Sequence, residues 1–180
     1  METVKVIEAV YSDGEITSPL TPVSQSYLSK GYGVRDKGRR SVRYSPVEAL
    51  YLAETGRMTV KLSNGEELDF QELLRVLEEE NPNIWRDYVV YRDLRKRRYV
   101  VKEGFSEELR FRVFERGEYG EKPAKYVVAI ISEGKDVPVE KLRQWLSACR
   151  GMRKELVLAV IDRRNEIIYY KASLVDLRNV

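Results

Sequence analysis

The side chains best able to do chemistry lie between Arg110 and Val128, in the stretch RFRVFERGEYGEKPAKYVV. Tyr119, Lys125 and a nearby carboxylate could divide proton transfer and charge stabilisation among them. They would have to do so without help from imidazole, because the 180 residues contain no histidine. That removes the commonest acid–base side chain and the commonest metal ligand. It excludes histidine-based serine or cysteine triads and histidine-ligated zinc. Carboxylate, tyrosine and lysine chemistry remain. Basic side chains fall in two groups, five between Arg35 and Arg43 and five between Arg92 and Arg98. Such clusters suit a phosphate backbone. The plainer reading is a solvated face, and composition alone favours it.

The elements that must position these residues follow from periodicity and punctuation. Ser12-Asp13-Gly14 joins Val4–Tyr11 to Glu15–Thr17 as a hairpin. Pro19 and Pro22 interrupt regular structure, and Ser24–Lys30 is a short helix ended by Gly31. Ser45-Pro46-Val47-Glu48 is a capping box with proline at N1, and Gly56 stands where that helix should stop. Met58–Leu62 and Glu66–Leu68 flank Ser63-Asn64-Gly65 as a second hairpin. Asp69 with Glu72 caps a helix carrying Phe70, Leu73, Leu74 and Leu77 on one face. Asn81-Pro82-Asn83 breaks it and predicts a domain boundary, giving 1–83 and 84–180.

Beyond the break, Trp85, Tyr88, Val89 and Leu94 form a helical stripe, and Tyr99–Lys102 is a strand. Leu109, Phe111 and Val113 alternate with Arg110 and Arg112, as in a strand with one wet face. Tyr126–Ile131 and Leu156–Ile161 are continuous apolar runs, the pattern of central strands covered on both sides. Between them a helix carries Val139, Leu142, Leu146 and Cys149 on one stripe. Glu166–Lys171 is a last strand. The expected fold class is α+β, two small mixed domains, the second a mixed sheet flanked by helices.

Composition sets the outer bounds. Apolar residues make up 43% and charged residues 34%, with a net charge of +3 and a pI near 8.8. No apolar run approaches the roughly 20 residues of a membrane span. The first residues lack a signal-peptide pattern. Cys149, alone, cannot form an internal disulfide, and cytoplasm is the expected location. Abundant arginine, lysine and glutamate lean weakly toward a thermophilic source.

Four segments together carry a family resemblance: YVVYRDLRKRRYVVKEGF (88–105), LRFRVFERG (109–117), KYVVAII (125–131) and RKELVLAVIDRRNEIIYYK (153–171). They resemble the C-terminal nuclease domain of the archaeal tRNA-splicing endonucleases. SYLSKGYG (26–33) and YSPVEALYLAETGRM (44–58) are similar to that family's N-terminal domain. The resemblance implies metal-independent cleavage of pre-tRNA at a bulge–helix–bulge fold, leaving 2′,3′-cyclic phosphate and 5′-hydroxyl ends, with no cofactor. In such a site a tyrosine takes the ribose proton, a histidine protonates the leaving oxygen and a lysine stabilises the phosphorane. The matching positions here are Phe114, Pro123 and Lys154. An arginine that helps clamp a bulged base, seven residues before the lysine, is Ser147 here.

Phenylalanine keeps a ring without its oxygen, and proline carries no transferable proton. Each lost acid or base costs about 10²–10⁴ in rate. The resemblance therefore points to a non-catalytic subunit, which pairs with a catalytic paralogue holding tyrosine, histidine and lysine, in a heterotetramer of two plus two. The remnant Lys154 reads as a cation at a helix end. The loop Glu133–Asp136 corresponds to one that carries acidic residues into a neighbouring subunit's basic cleft. Asp136 alternatively caps the following helix. Ile167, Ile168, Tyr169 and Tyr170 correspond to an edge strand that pairs with a neighbour, a cover the edge would need in any case. Arg92, Arg95, Lys96 and Arg97 are candidates for RNA contact. Two alternatives stand beside this reading. One is an active endonuclease with a relocated site at Tyr119 and Lys125. The other is an unrelated basic RNA-binding module.

Overall fold

The computed structural model describes residues 5–175. Val4, the expected start of the first strand, lies outside them. The chain divides into two compact units, residues 1–92 and 93–180.

The first unit begins with β1 (Ile7–Ser12) and β2 (Glu15–Pro19), joined through Asp13 and Gly14. Both turn residues have positive φ, 50° and 77°, as a primed two-residue turn requires. Pro22 does not interrupt the chain as expected. It is the first residue of α1 (Pro22–Ser29), whose N-cap is Thr21 in a box with Ser24. Proline suits that position because its missing N–H would be unpaired there in any case. Next come β3 (Val34–Asp36), β4 (Ser41–Tyr44) and α2 (Pro46–Glu54), the last started by the Ser45–Glu48 box. The unit continues with β5 (Met58–Leu62), β6 (Glu67–Leu68) and α3 (Phe70–Glu80), capped by Asp69 and Glu72. α4 (Ile84–Lys96) starts directly after Asn81-Pro82-Asn83, and the two units divide within it.

The six strands run in the order β3-β4-β2-β1-β5-β6, with β1 and β5 parallel and the other neighbours antiparallel. Ile7, Ala9, Ile16, Val42 and Val60 are buried, together with Leu50 and Leu52 of α2 and Leu73 and Leu77 of α3. The alternation along the strands and the 3–4 spacing in α3 are the ordinary signature of one apolar side per element, whereas α2 is buried at every position from Val47 to Leu52.

The second unit takes the last turn of α4, then β7 (Val100–Glu103), β8 (Phe111–Phe114), β9 (Tyr126–Ser132), α5 (Val139–Gly151), β10 (Glu155–Ile161) and β11 (Ile167–Ala172). The sheet order is β11-β10-β9-β8-β7; only β9 and β10 are parallel. α5 is the crossover between them. Its buried residues Trp145 and Cys149 pack with Leu109, Val127, Ala129 and Leu156. The architecture is α+β, with a mixed sheet in each unit.

Three expectations need correction here. Val139 is 82% exposed, so the stripe of α5 is Leu142, Trp145, Leu146 and Cys149. Periodicity alone continues the stripe into the first turn, but no described residue of this unit covers it. β9 and β10 are not fully covered on both sides: Ile130, Ile131, Leu158 and Val160 are only partly buried. Asp136 does not cap α5. Pro138 is the N-cap, without a side-chain hydrogen bond. A residue before proline is driven to extended geometry, which leaves Asp136 two positions too early.

Gly104, between β7 and β8, donates to the Arg110 carbonyl at 2.8 Å. A Cβ there would lie 1.8 Å from the Leu109 carbonyl oxygen. Gly104→Ala is therefore expected to lower unfolding stability by about 1–3 kcal/mol, the usual cost of overpacking, measured by chemical denaturation.

Candidate functional site

One edge of the second sheet gathers the end of β8 and the starts of β9 and β10. Lys125 donates its amide to the Val113 carbonyl at 3.0 Å, and Glu155 to the Lys125 carbonyl at 2.9 Å. Phe114 closes β8, half-buried, with its ring edge-on to Tyr119 at 5.0 Å. Pro123 is exposed, and Ala124 beyond it is buried. Lys154 follows α5, its amide donating to the Cys149 carbonyl at 2.8 Å. Its ammonium donates to the Ala124 carbonyl. Phe114, the residue next to Pro123, and Lys154 thus occupy one edge. They offer a hydrocarbon ring, a prolyl ring whose nitrogen is a tertiary amide, and an ammonium with one of its three N–H groups on a backbone oxygen. Neither Phe114 nor Pro123 carries a group that can exchange a proton.

A second group at this edge was not recognised as a unit in the sequence. Glu115 accepts from Lys125 at 3.0 Å and from the Tyr126 hydroxyl at 2.9 Å. Hydrogen bonds to Glu115 and Tyr126 raise the Lys125 pKa. The bonds from Lys125 and Tyr126 lower that of Glu115. Lys125 draws the Tyr126 phenol down, but burial and Glu115 push it up further, so it ends above its ordinary value. Each group is held in its resting charge state, the opposite of what a general base needs. Lys125 does meet a carboxylate, Glu115, but the tyrosine that shares it is Tyr126; Tyr119 packs on Phe114 instead.

The proposed assembly residues sit elsewhere. Glu133 and Asp136 are exposed, past the far end of β9, where the Glu133 amide donates to the Ile161 carbonyl at 2.8 Å. β11 forms an outer edge of the sheet. Ile168 and Tyr170 are 58% and 52% exposed, while Ile167 and Tyr169 alternate to the other side and are partly buried. The Tyr169 hydroxyl donates to Asp93 at 2.8 Å, and burial with that bond raises its pKa.

Of the basic group on α4, Arg92 pairs with Glu54 and Arg97 with Asp93, and Arg95 donates to the Tyr99 carbonyl. Lys96 is exposed. Sequence reading passed over Arg116, whose guanidinium lies 4.6 Å from the Tyr99 ring centre. With Leu94, Arg97, Tyr126 and Tyr169 these line a cavity of about 220 Å³. Residues from five separate segments converge there, so no local pattern announces it. A second hollow of about 460 Å³ adjoins Lys154, Cys149, Arg150 and Lys171. Among the described residues no cluster could hold a metal ion, and no helix is long and apolar enough to cross a membrane.

The depressed Glu115 pKa fixes a sign. Its contribution to stability is present above the ordinary glutamate value of 4.5 and is lost as pH falls through the lower, folded value. Glu115→Gln is therefore expected to be less stable than the parent at neutral pH. The difference should close in acid, as read from denaturation midpoints across pH.

Comparison with known proteins covers nearly the whole chain. Residues 7–74 match the family model of the tRNA intron endonuclease N-terminal domain, and residues 84–169 that of its catalytic C-terminal domain. A tRNA-splicing endonuclease of Thermococcus onnurineus is 31% identical over 153 residues, 85% of this chain and 86% of the relative. That of Methanothermobacter thermautotrophicus is 31% identical over 166 residues, 91% and 95% of the two chains. In the longer enzyme of Methanosarcina acetivorans the match is 34% over 128 residues, 71% of this chain but 35% of the relative. With both domains present in order, the chain belongs to the tRNA intron endonuclease family.

Proposed function

We propose that this chain is the structural, non-catalytic subunit of a heterotetrameric tRNA-splicing endonuclease. Its role is to hold two catalytic paralogues at the spacing needed to cut both bulges of a bulge–helix–bulge pre-tRNA. Their reaction would leave 2′,3′-cyclic phosphate and 5′-hydroxyl ends without a metal or cofactor, in the cytoplasm. The carrying observation is the edge at Phe114, Pro123 and Lys154. The first two lack any transferable proton, and the ammonium of the third is bound to the Ala124 carbonyl. Two missing groups, at about 10²–10⁴ each, leave no useful rate. The alternative site built on Lys125 is disfavoured by its bond to Glu115. The functional boundary is placed after Asn83.

Assembly would use two surfaces. The open side of β11, carrying Ile168 and Tyr170, would pair within a dimer with the catalytic chain. The exposed loop from Glu133 to Asp136 would reach the opposite dimer by charge. Asp136 does not cap α5, which leaves its exposed carboxylate available for such a contact among the described residues. Arg92, Arg95, Lys96 and Arg97 would face RNA, Lys96 with its charge uncommitted to a described carboxylate.

The isolated chain is expected to leave a bulge–helix–bulge RNA intact, and mixing with the catalytic paralogue should restore cleavage. Cutting by the isolated chain would overturn the proposal. In the assembled enzyme, Lys154→Ala should change the cleavage rate less than about threefold; a loss of about 100-fold, the scale of one catalytic group, would show the lysine still acts.

The two surfaces should separate under mass measurement in solution. High salt, or neutral residues at Glu133 and Asp136, should release heterodimers, because exposed ion pairs are screened. Tyr170→Asp should split the dimer itself, since apolar burial is what it removes. Tyr169 is a poorer probe because it is tied to Asp93 within its own unit. A salt-insensitive tetramer after the loop changes would remove the loop from the interface.

A further inference from the structure

The hairpin formed by β3 and β4 concentrates positive charge, most of it without an ion pair among the described residues. From Val34 to Tyr44 there are five basic side chains, Arg35, Lys37, Arg39, Arg40 and Arg43, and one acid, Asp36, a net +4. The entire chain carries +3, so the remainder is close to neutral. Arg43 approaches Glu15 at 3.4 Å, an exposed pair. Arg35, Lys37, Arg39 and Arg40 are exposed and form no ion pair among the described residues. The single carboxylate is turned inward on the tip: Asp36 accepts from the backbone amides of Gly38 at 2.9 Å and Arg39 at 3.3 Å. It stiffens the turn and leaves the cations unneutralised.

The base of the hairpin is fixed as well. Gly33 enters it at φ 73°, so close to β4 that a Cβ would lie 2.6 Å from a Val42 methyl and 2.9 Å from the Tyr44 ring. Val42 and Tyr44 are buried. In the register, Arg35 stands opposite Val42, and Val34 opposite Arg43. Directly opposed residues share a face, so Arg35 and Arg43 leave the ribbon on opposite faces, with Lys37, Arg39 and Arg40 around the tip. Charge on an outer strand guards against stray pairing, but a lysine or two suffices for that. Five exposed cations on both faces and the tip of an anchored ribbon, four of them without an ion pair among the described residues, match something else, the two phosphate ridges that border a groove.

We infer that the β3–β4 hairpin is an RNA-binding arm that contacts the phosphate backbone of a double-helical segment, separate from the α4 cations and from the edge at Lys154. The shallow groove of an A-form duplex is open to such shape and phosphate contact. Its occupant is a structured RNA on the family reading above, but the arm would act whether or not the chain cuts.

The test uses the full chain and an RNA duplex of about 16 base pairs, with binding followed by fluorescence anisotropy across salt concentrations. The combined Lys37→Ala, Arg39→Ala and Arg40→Ala variant should weaken binding about tenfold or more and make the salt slope about two to three units shallower. Replacing Arg39 and Arg40 by lysine should retain most of both. An equal loss of charge at Arg143, Arg163 and Arg164 should change affinity less than about twofold. Unchanged affinity and slope in the tip variant would overturn the inference. So would an equal loss on single-stranded RNA of the same length, or a loss on poly-glutamate with duplex binding intact, which would assign the arm to an acidic protein. Cleavage is not read, so a failure here leaves the subunit assignment standing, and the reverse.

Discussion

The parallel pairing of β9 with β10 is the constraint on which the second unit depends. Parallel neighbours cannot be joined by a tight turn; they need a crossover of a dozen or more residues. α5 supplies it and thereby receives the apolar side of both strands through Trp145 and Cys149. Parallel strands also begin at the same edge. That is why the residue after Pro123 and Lys154, 30 positions apart, meet in one hydrogen bond. The Glu133–Asp136 loop is sent to the far end by the same geometry. β10 then turns back into β11, leaving an outer strand that no later described element covers.

At the shared edge, similar side-chain types do different work according to what they touch. Lys154 joins two strand starts by donating to a carbonyl, a task that needs length and a donor rather than a reactive ammonium. Lys125 and Tyr126 share Glu115, and the trio fixes three protonation states at once. Catalysis would require at least one of those states to be poised for change. At this edge the polar side chains are bonded to one another and to the backbone: Lys125 and Tyr126 to Glu115, and Lys154 to the Ala124 carbonyl.

Much of the fold was legible because the chain is well punctuated. The boxes at Ser45–Glu48 and Asp69–Glu72, the Asp13-Gly14 turn and the Asn81–Asn83 break each state their geometry within four residues. Legibility failed where the deciding partner is distant. β3 and β4 were missed because Val34 and Val42 are their main apolar residues, and the arginines between them obscure the alternation. Val139 follows the helical period yet has nothing beneath it. Asp136 has the right chemistry for a cap, but Val137-Pro138 moves the helix start away from it. At the site, the identities of Phe114, Pro123 and Lys154 could be read directly. The carbonyl that Lys154 engages, and the bond between Glu115 and Tyr126, depend on how strands far apart in sequence align.

The first unit repeats the arrangement of the second in one respect: among the described residues its one parallel strand pair, β1 with β5, joins segments about 50 residues apart. During synthesis β1 can pair at once with β2, but its other edge waits until Met58–Leu62 has left the ribosome. At about 5–20 residues per second that interval lasts several seconds. Closing so long a loop also comes late in folding, because its entropy must be met before the contact forms. Through that period the nascent chain exposes the unpaired side of Ile7–Ser12, an interval in which a cell with limited chaperone capacity must keep such half-made sheets apart.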